Sequence, residues 1–424
     1  MEANITTRSA TSFRIEVEIP YEFTSMLEAE RIIQQQINKA GTLATGEALQ
    51  QFDTDGSPIF VAGQKLTSKG PISKTYETPY GDVRIDRHVY QSAHGGRGYC
   101  PLEYHARIVT TATPKYAKMV SSKYADGSGL RVQHDLLENH GRSIAKSHVQ
   151  RICEVVGSIA EAKETTWNYA LPGFDTPVAT VTLGVDGTGM LMCEDGARQA
   201  MVGTLACYDA DGMRLHTTYI AARPEYGKAT FFRRMEEEIG RMKQRYPTVR
   251  YVGLADGAKD NWTFLEQHTE TQILDFYHVT KYLGDVGQAV IPKTKREQWM
   301  EDTCHSLKHT TDGVQAVYAE LQGYGTRNLT ARKRESVATA VTYFENHKHQ
   351  MAYADAVAHY IPIGSGVTEA ACKVIVKQRL CGSGMQWKDD GAAVVLTLRC
   401  LAYSEGRWEQ FWQKIDRYGF SLAS

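Results

Sequence analysis

Between Val178 and Leu274 the apolar positions repeat as strands, and from Val290 to His359 they repeat as helices. VATVTLGVDG is a buried strand that runs into a turn at Asp186-Gly187. GMLMCEDGARQAMVGTLACYDADGMRLHTTYIAA carries two further strands of a meander, with Asp211-Gly212 as the hairpin turn. KATFFRRMEEEIGRMKQRYP has the period of an amphipathic helix and is stopped by Pro247. VRYVGLADGA is a strand with the same Asp-Gly ending. A helix follows around Trp262 to Gln267, and TQILDF is another short strand. MEDTCHSLKH, GVQAVYAELQ and RKRESVATAVTYFENHKHQMAYADAV lack strand alternation and read as helices. IPIGSGVTEAACKVIVKQRL then gives a turn and a last core helix.

The first part of the chain is patterned differently. Thr24 to Lys39 is helical, with Leu27, Ile32, Ile33 and Ile37 apolar. KTYETPYGDVRIDRHVYQSAHGGRGYCPLE reads as a hairpin or small sheet: Val83, Ile85 and Val89 are strand positions, and Gly81-Asp82 and Gly95-Gly96 are turns. LRVQHDLLENHG is a helix stopped near Gly141. SIAKSHVQRICEVVGSIAEA is the next helix, with Ser143 as its cap and Lys146, Ser147, Gln150 and Arg151 facing out. Two helices joined by a short glycine-containing turn suit a helix-turn-helix that enters a major groove; a plain helical hairpin is the alternative. A boundary falls in NYALPGFDTPVAT. The expected division is an α+β region over 1–112, a helix-turn-helix-like DNA-binding region over 113–167, the first part of an α/β core over 168–289, an all-α insertion over 290–359, and the last part of the core with C-terminal helices over 360–424. Three antiparallel strands, a helix, a strand, a helix and a strand is the order of a ribonuclease H-like fold.

Composition adds exclusions. A chain of 424 residues is too long for one core, and its 42% apolar and 23% charged residues are ordinary for a folded protein. No apolar run is long enough for a transmembrane helix, and MEANITTRSATSFRIEVEIP has no apolar leader segment. The eight cysteines contain no CxxC pair, which suits reduced thiols in a cytoplasm. A net charge of −1 argues weakly against a nucleic-acid partner. Local charge differs: Arg97, Arg107, Lys115, Lys118, Lys123, Arg131, Arg142, Lys146 and Arg151 face only Glu103, Asp126, Asp135 and Glu138 in the same segment.

The candidate chemistry lies in carboxylates. Asp186 and Asp256 each follow an apolar strand and precede glycine. An acid at the end of a strand faces the crevice where open α/β sheets place their sites, and glycine lets the backbone turn and a phosphate approach. Glu369 lies at the start of the last core helix. Three acids converging from two strands and a helix can hold two Mg²⁺, which activate a water or 3′-hydroxyl and stabilise the leaving oxygen. Each element alone has an ordinary reading, as a turn or a helix-dipole partner. Their order within the matching fold order is the signal.

From about Val178 to Phe420 the chain resembles transposases of the ISKra-type bacterial insertion sequences, within the DDE superfamily. The resemblance rests on LGVDGTGMLMCEDG, EYGKATF, ADGAKDNW, LDFYH, PIGSGVTEAACK, VKQRLCGSGMQW and GRWEQFW, and more loosely on TPYGDVRIDRHVY and YCPLE. It implies that Asp186, Asp256 and Glu369 are the catalytic triad, that Mg²⁺ is the cofactor with Mn²⁺ as a substitute, and that a helical insertion precedes the last acid, as in Mutator-like elements. Those relatives carry a Cys/Asp-x-x-His motif after the second aspartate, which Asp275-Phe276-Tyr277-His278 fits. The implied partners are double-stranded DNA, as element ends and target, and further copies of the chain in a dimer or larger assembly. The implied place is the bacterial cytoplasm, at the nucleoid.

Other residues have two readings. His278 acts at the scissile phosphate or on a triad acid, or is a helix-start histidine bonded by Asp275. Trp387, flanked by Gly382, Gly384 and Lys388, stacks on an unpaired base or anchors the core. Lys373, Lys377 and Arg379 contact phosphates or form a solvated helix face. Cys304, His305, His309, His347 and His349 match no zinc spacing. The rival functions are a nuclease on the same fold without strand transfer, and a domesticated DNA-binding protein.

Overall fold

A computed structural model describes residues 3–9 and 11–420. The chain forms two compact units. One comprises the chain up to Tyr169 with Thr397–Ala402 and the residues from Arg407 onward; the other comprises Ala170–Leu396 with Tyr403–Gly406. The protein is mixed α/β. No described helix is long and apolar enough to cross a membrane.

The first unit opens with an antiparallel pair, β1 (Asn4–Arg8) and β2 (Phe13–Glu16), followed by the long helix α1 (Met26–Gln50). Strands β3 (Ile59–Val61), β4 (Gln64–Glu77), β5 (Asp82–Ser92) and β6 (Gly95–Tyr99) form an antiparallel sheet in that order. Helices α2 (Pro101–His105), α3 (Pro114–Asp126), α4 (Gly129–His140) and α5 (Lys146–Ala162) follow. Helix α1 outruns the stretch its periodicity predicts because it continues through Gly41 and Gly46, residues that weaken helices. Both are sites of close approach: a Cβ on Gly41 would stand 2.4 Å from the Tyr80 ring, and one on Gly46 3.3 Å from Val83.

Helix α4 ends at Gly141, which is left-handed with φ 61°. Ser143 is not the cap of α5, contrary to expectation. Ala145 holds that position and supplies no side-chain hydrogen bond. The turn is fixed instead by tertiary contacts. Buried Arg142 donates to the Thr78 carbonyl at 3.1 Å and to Asp82, and lies 5.4 Å above the Tyr116 ring. The basic segment is therefore partly spent inside the unit. Arg142 is buried, Lys123 pairs with Asp135, and Lys118 pairs with Glu409.

In the second unit β7 (Thr180–Met192), β8 (Gly196–Tyr208) and β9 (Arg214–Ala222) form an antiparallel meander. Helix α6 (Ala229–Arg245) leads to β10 (Arg250–Ala255), α7 (Lys259–Leu265) and β11 (Thr271–Leu274). The sheet order is β11-β10-β7-β8-β9, with β10 parallel to both β7 and β11. Strand β7 does not end at Asp186 as its Asp-Gly pair suggests. It stays paired with β8 past Asp186, opposite Val202, to Met192, opposite Gly196.

Five helices follow: α8 (Phe276–Val290), α9 (Arg296–His309), α10 (Gly313–Gly325), α11 (Ala331–His347) and α12 (Tyr353–Ala358). They share one core with the sheet. Leu307, Val317, Leu321, Val337 and Phe344 belong to the same buried cluster as Val181, Leu183, Leu205 and Val252. Helix α13 (Gly366–Ala371), a π-helical turn over Cys372–Lys377, α14 (Gln378–Leu380) and α15 (Asp389–Tyr403) come next, then α16 (Arg407–Tyr418).

Residues 360–424 divide between the two units. Thr397–Ala402 and α16 belong to the first unit. There buried Arg399 donates to the Ala125 carbonyl at 2.5 Å and to Asp126 at 2.9 Å, and the Phe411 ring sits 5.8 Å from Trp167. Helical periodicity marks which face of α16 is buried, but not the surface it is buried against.

A shared core has a measurable consequence. Phe344→Ala empties a fully buried position in α11, which costs about 3–5 kcal/mol. The second unit, sheet included, is expected to melt earlier in a single step when followed by calorimetry. An early separate transition of the helices, with the sheet melting unchanged, would show that the helices fold on their own.

Candidate active site and metal centre

Asp186 lies in mid-strand on β7, and Asp256 follows the last residue of the parallel neighbour β10. Gly257, at φ 105°, makes the turn there. Asn261 at the start of α7 ties the two strands together at this level, donating to the Val185 carbonyl at 3.3 Å. Glu369 comes from α13, above the sheet. That helix can approach because residue 184 has no side chain: a Cβ on Gly184 would stand 1.9 Å from Thr368 Oγ1 and 2.7 Å from Thr204 Oγ1. The two threonine hydroxyls are 2.8 Å apart and hydrogen-bonded. Gly184 and Asp186 share a face of β7, and Thr368 directly precedes Glu369, so this contact sets the helix acid over the strand acid.

The acids feel one another. Burial pushes the Asp186 carboxyl above its ordinary value, and the charges of Asp256 and Glu369 push the same way. Two donors oppose this: the Cys372 thiol at 3.4 Å and the Gly187 N–H at 2.6 Å. Cys372 is itself held protonated by burial and by the neighbouring Asp186 charge. It is a contact of Asp186 that strand and helix patterns alone do not reveal, since it lies one helical turn beyond Glu369 in the π segment.

A second grouping shares Glu369. Asp275, His278 and Glu369 bring their ligand atoms within 4.8 Å of one another and can hold a metal ion. His278 Nδ1 is buried and has no hydrogen-bond partner among the described residues. It lies 3.8 Å from Asp275 Oδ1 and 4.0 Å from Glu369 Oε1. Asp275 therefore does not bond the His278 ring; it accepts from the His278 backbone N–H at 3.0 Å, as the cap of α8. On the other side of the ring, Lys281 Nζ is 3.5 Å from Nε2. An unpartnered imidazole nitrogen between two carboxylates, beside Asp186, whose carboxyl is raised by burial and by its acidic neighbours, is a donor set that fits divalent cations.

The helices contribute here too. Tyr343 on α11 stacks on Tyr282 of α8 with ring centroids 4.0 Å apart, and its hydroxyl donates to the Asp256 carbonyl at 3.3 Å. A Cβ on Gly257 would meet Tyr343 and His347 at 3.4 and 3.5 Å.

The residues considered for nucleic acid fare differently. Lys373, Lys377 and Lys388 are exposed. Arg379 is not a surface phosphate contact: it is 3% exposed, with its guanidinium 5.1 Å from the Trp387 ring centroid. Trp387 is half-buried; its indole N–H donates to the Leu380 carbonyl at 2.8 Å and its backbone pairs with the tip of β7. With Arg379 over the ring, Trp387 is an anchor for the β7 tip. In the first unit Lys146, Ser147, Gln150 and Arg151 are exposed along α5, opposite buried Val149, Ile152, Cys153 and Val156. Gln150 donates to Glu154 on the same face at 2.8 Å.

No model of a known protein family matches the chain, and no curated protein matches it.

The raised Asp186 carboxyl predicts a pH dependence. An acid pushed up in the folded state stabilises the fold while protonated, and that stability is lost as pH rises through its folded pKa. Asp186→Asn removes the ionisation. In the metal-free protein it should raise the melting temperature at pH 7 and flatten its fall between acid and neutral pH. A variant that melts at or below the native temperature at pH 7 would contradict the assigned burial and charge crowding.

Proposed function

We propose that the protein is a DDE-type transposase that cleaves DNA at the ends of its element and joins the freed 3′-hydroxyl to target DNA. The observation that carries this reading is the convergence of Asp186, Asp256 and Glu369, from two adjacent parallel strands and a helix, closely enough for two of the acids to raise the third. The sheet order β11-β10-β7-β8-β9, with only β8 running antiparallel to the other four strands, supports a ribonuclease H-like core. The sequence motifs supply the resemblance to ISKra-type transposases.

Asp186, Asp256 and Glu369 would hold Mg²⁺, or Mn²⁺ in its place, with His278 beside Glu369. Divalent ions bound there supply activation of the attacking oxygen and stabilisation of the leaving one. The chain's own groups do the rest. The Cys372 thiol and Gly187 N–H orient Asp186. Tyr343 and Asn261 fix the backbone on either side of the crevice. Exposed Lys373 and Lys377, on the helical turns after Glu369, are placed to meet phosphates. Helices α4 and α5 serve as a helix-turn-helix that recognises the element ends, with Lys146, Gln150 and Arg151 at the DNA. Pairing two ends calls for a homodimer or larger assembly, acting at the nucleoid in a bacterial cytoplasm.

The test uses DNA carrying the element's ends and a labelled 3′-hydroxyl. The native protein with Mg²⁺ should give both cleavage and joined products, and Asp186→Asn should lower both by orders of magnitude without unfolding. Cleavage without joining would make the protein a nuclease, and a folded Asp186→Asn variant of near-native activity would remove Asp186 from the site.

End binding is expected to be electrostatic and to weaken steeply with salt. Lys146→Ala and Arg151→Ala should each reduce the slope of log affinity against log salt by roughly 1, since each phosphate contact releases about one counterion. Unchanged slopes in both variants would move recognition away from α5.

A further inference from the structure

We infer that Asp275 is a positioning residue: working through Ser365, it clamps the two ends of the helical insertion together and holds Glu369 and His278 ready to ligate, without ligating itself. The inference rests on the metal reading of this site and assigns a role to two residues within it.

Asp275 is completely buried. Both of its carboxylate oxygens are already committed. Oδ1 accepts from the His278 N–H at 3.0 Å, and Oδ2 accepts from the Ser365 N–H at 2.7 Å and from the Ser365 hydroxyl. Its own N–H donates to the Ala255 carbonyl at 2.9 Å, next to Asp256. One residue on, the Phe276 N–H donates to the Ile363 carbonyl at 2.9 Å. The chain thus leaves the sheet at Asp275, runs through α8 to α12, and returns to the same point at Ser365, ninety residues later in sequence. A buried carboxylate that accepts three hydrogen bonds is well compensated; deprived of them it is a costly buried charge.

Ser365 carries this grip to the site. Its carbonyl accepts from the Thr368 and Glu369 N–H groups at 2.8 and 2.9 Å, so it starts α13. Its hydroxyl oxygen also lies 3.3 Å from Glu369 Oε1. The hydroxyl has one proton, and the short contact to Asp275 takes it. Glu369, with a side chain 52% exposed, therefore receives no proton from Ser365 and keeps its lone pairs for a cation. On the other side, the bond to the His278 N–H fixes the first turn of α8, which places the unpartnered Nδ1 between the carboxylates. One buried acid so orients two ligands that belong to different helices.

The experiment measures Mn²⁺ binding to the full chain in the absence of DNA, by calorimetry and by pulsed electron paramagnetic resonance, which reads the coupling of a ligating His278 nitrogen. Ser365→Ala removes no candidate ligand, yet it should weaken Mn²⁺ binding by roughly tenfold or more, the usual cost of losing an outer-sphere partner, and diminish the nitrogen coupling. Asp275→Asn should do the same, and Ser365→Thr, which keeps the hydroxyl, should restore binding. If Asp275→Asn abolishes binding while Ser365→Ala binds like the native protein, Asp275 is a ligand and the inference is overturned. Native binding in both variants also overturns it and leaves the metal reading standing. No Mn²⁺ binding by the native protein overturns the metal reading itself, and the clamp's purpose with it.

Discussion

Like charges do not gather in a half-buried crevice unless something else holds them there. In this protein the restraint is an absence of atoms at residue 184. Without a side chain on β7 at that point, Thr368 reaches Thr204 across the strand and α13 lies against the sheet. Glu369 then stands over Asp186 whether or not their charges favour it. The cost shows in the Asp186 carboxyl, which burial raises first and the Asp256 and Glu369 charges raise further. It is balanced by an apolar core beneath, including Leu183, Val185 and Leu205, whose burial far outweighs one unfavourable carboxylate. A cation bound at such a site would relieve the crowding of negative charge.

The helices inserted between β11 and α13 belong to this arrangement and are not a separate attachment. Tyr343 and His347 pack beneath Gly257, and Tyr282 stacks against Tyr343. Asp275, Phe276, Ile363 and Ser365 gather the two ends of the insertion at the site's edge. Any displacement of α8 or α11 would be felt at Asp256, His278 or Glu369, because rigid, close-packed elements transmit shifts instead of absorbing them.

Periodicity and turn chemistry make some of this visible from the chain alone. Strand β10 ends one residue before Asp256, and Gly257 adopts the positive φ that an Asp-Gly pair suggests. Gly141 ends α4 in the same way. The identical dipeptide at Asp186-Gly187 misleads, because continued pairing with β8 holds the strand extended past it, and that information resides in the partner strand. Arg379 looks like a companion of Lys373 and Lys377. It stands two residues past Lys377, about half a helical turn round, and so falls on the opposite, buried side. The bond between Asp275 and Ser365 spans too much sequence for any local pattern to show it. The same holds for α16, whose apolar face is plain but whose partner lies at the other end of the chain.

That last pairing bears on how the chain is made. The first unit joins earlier segments of the chain to much later ones: Trp167 waits for Phe411, Lys118 for Glu409, and Ala125 for Arg399. The second unit, made of Ala170–Leu396 with Tyr403–Gly406, has its parts complete sooner. The carboxylate site can therefore assemble earlier in synthesis, while the unit bearing α4 and α5 closes only once α16 has been made. A nascent chain that stops short of α16 would carry the acids before it carried a finished first unit.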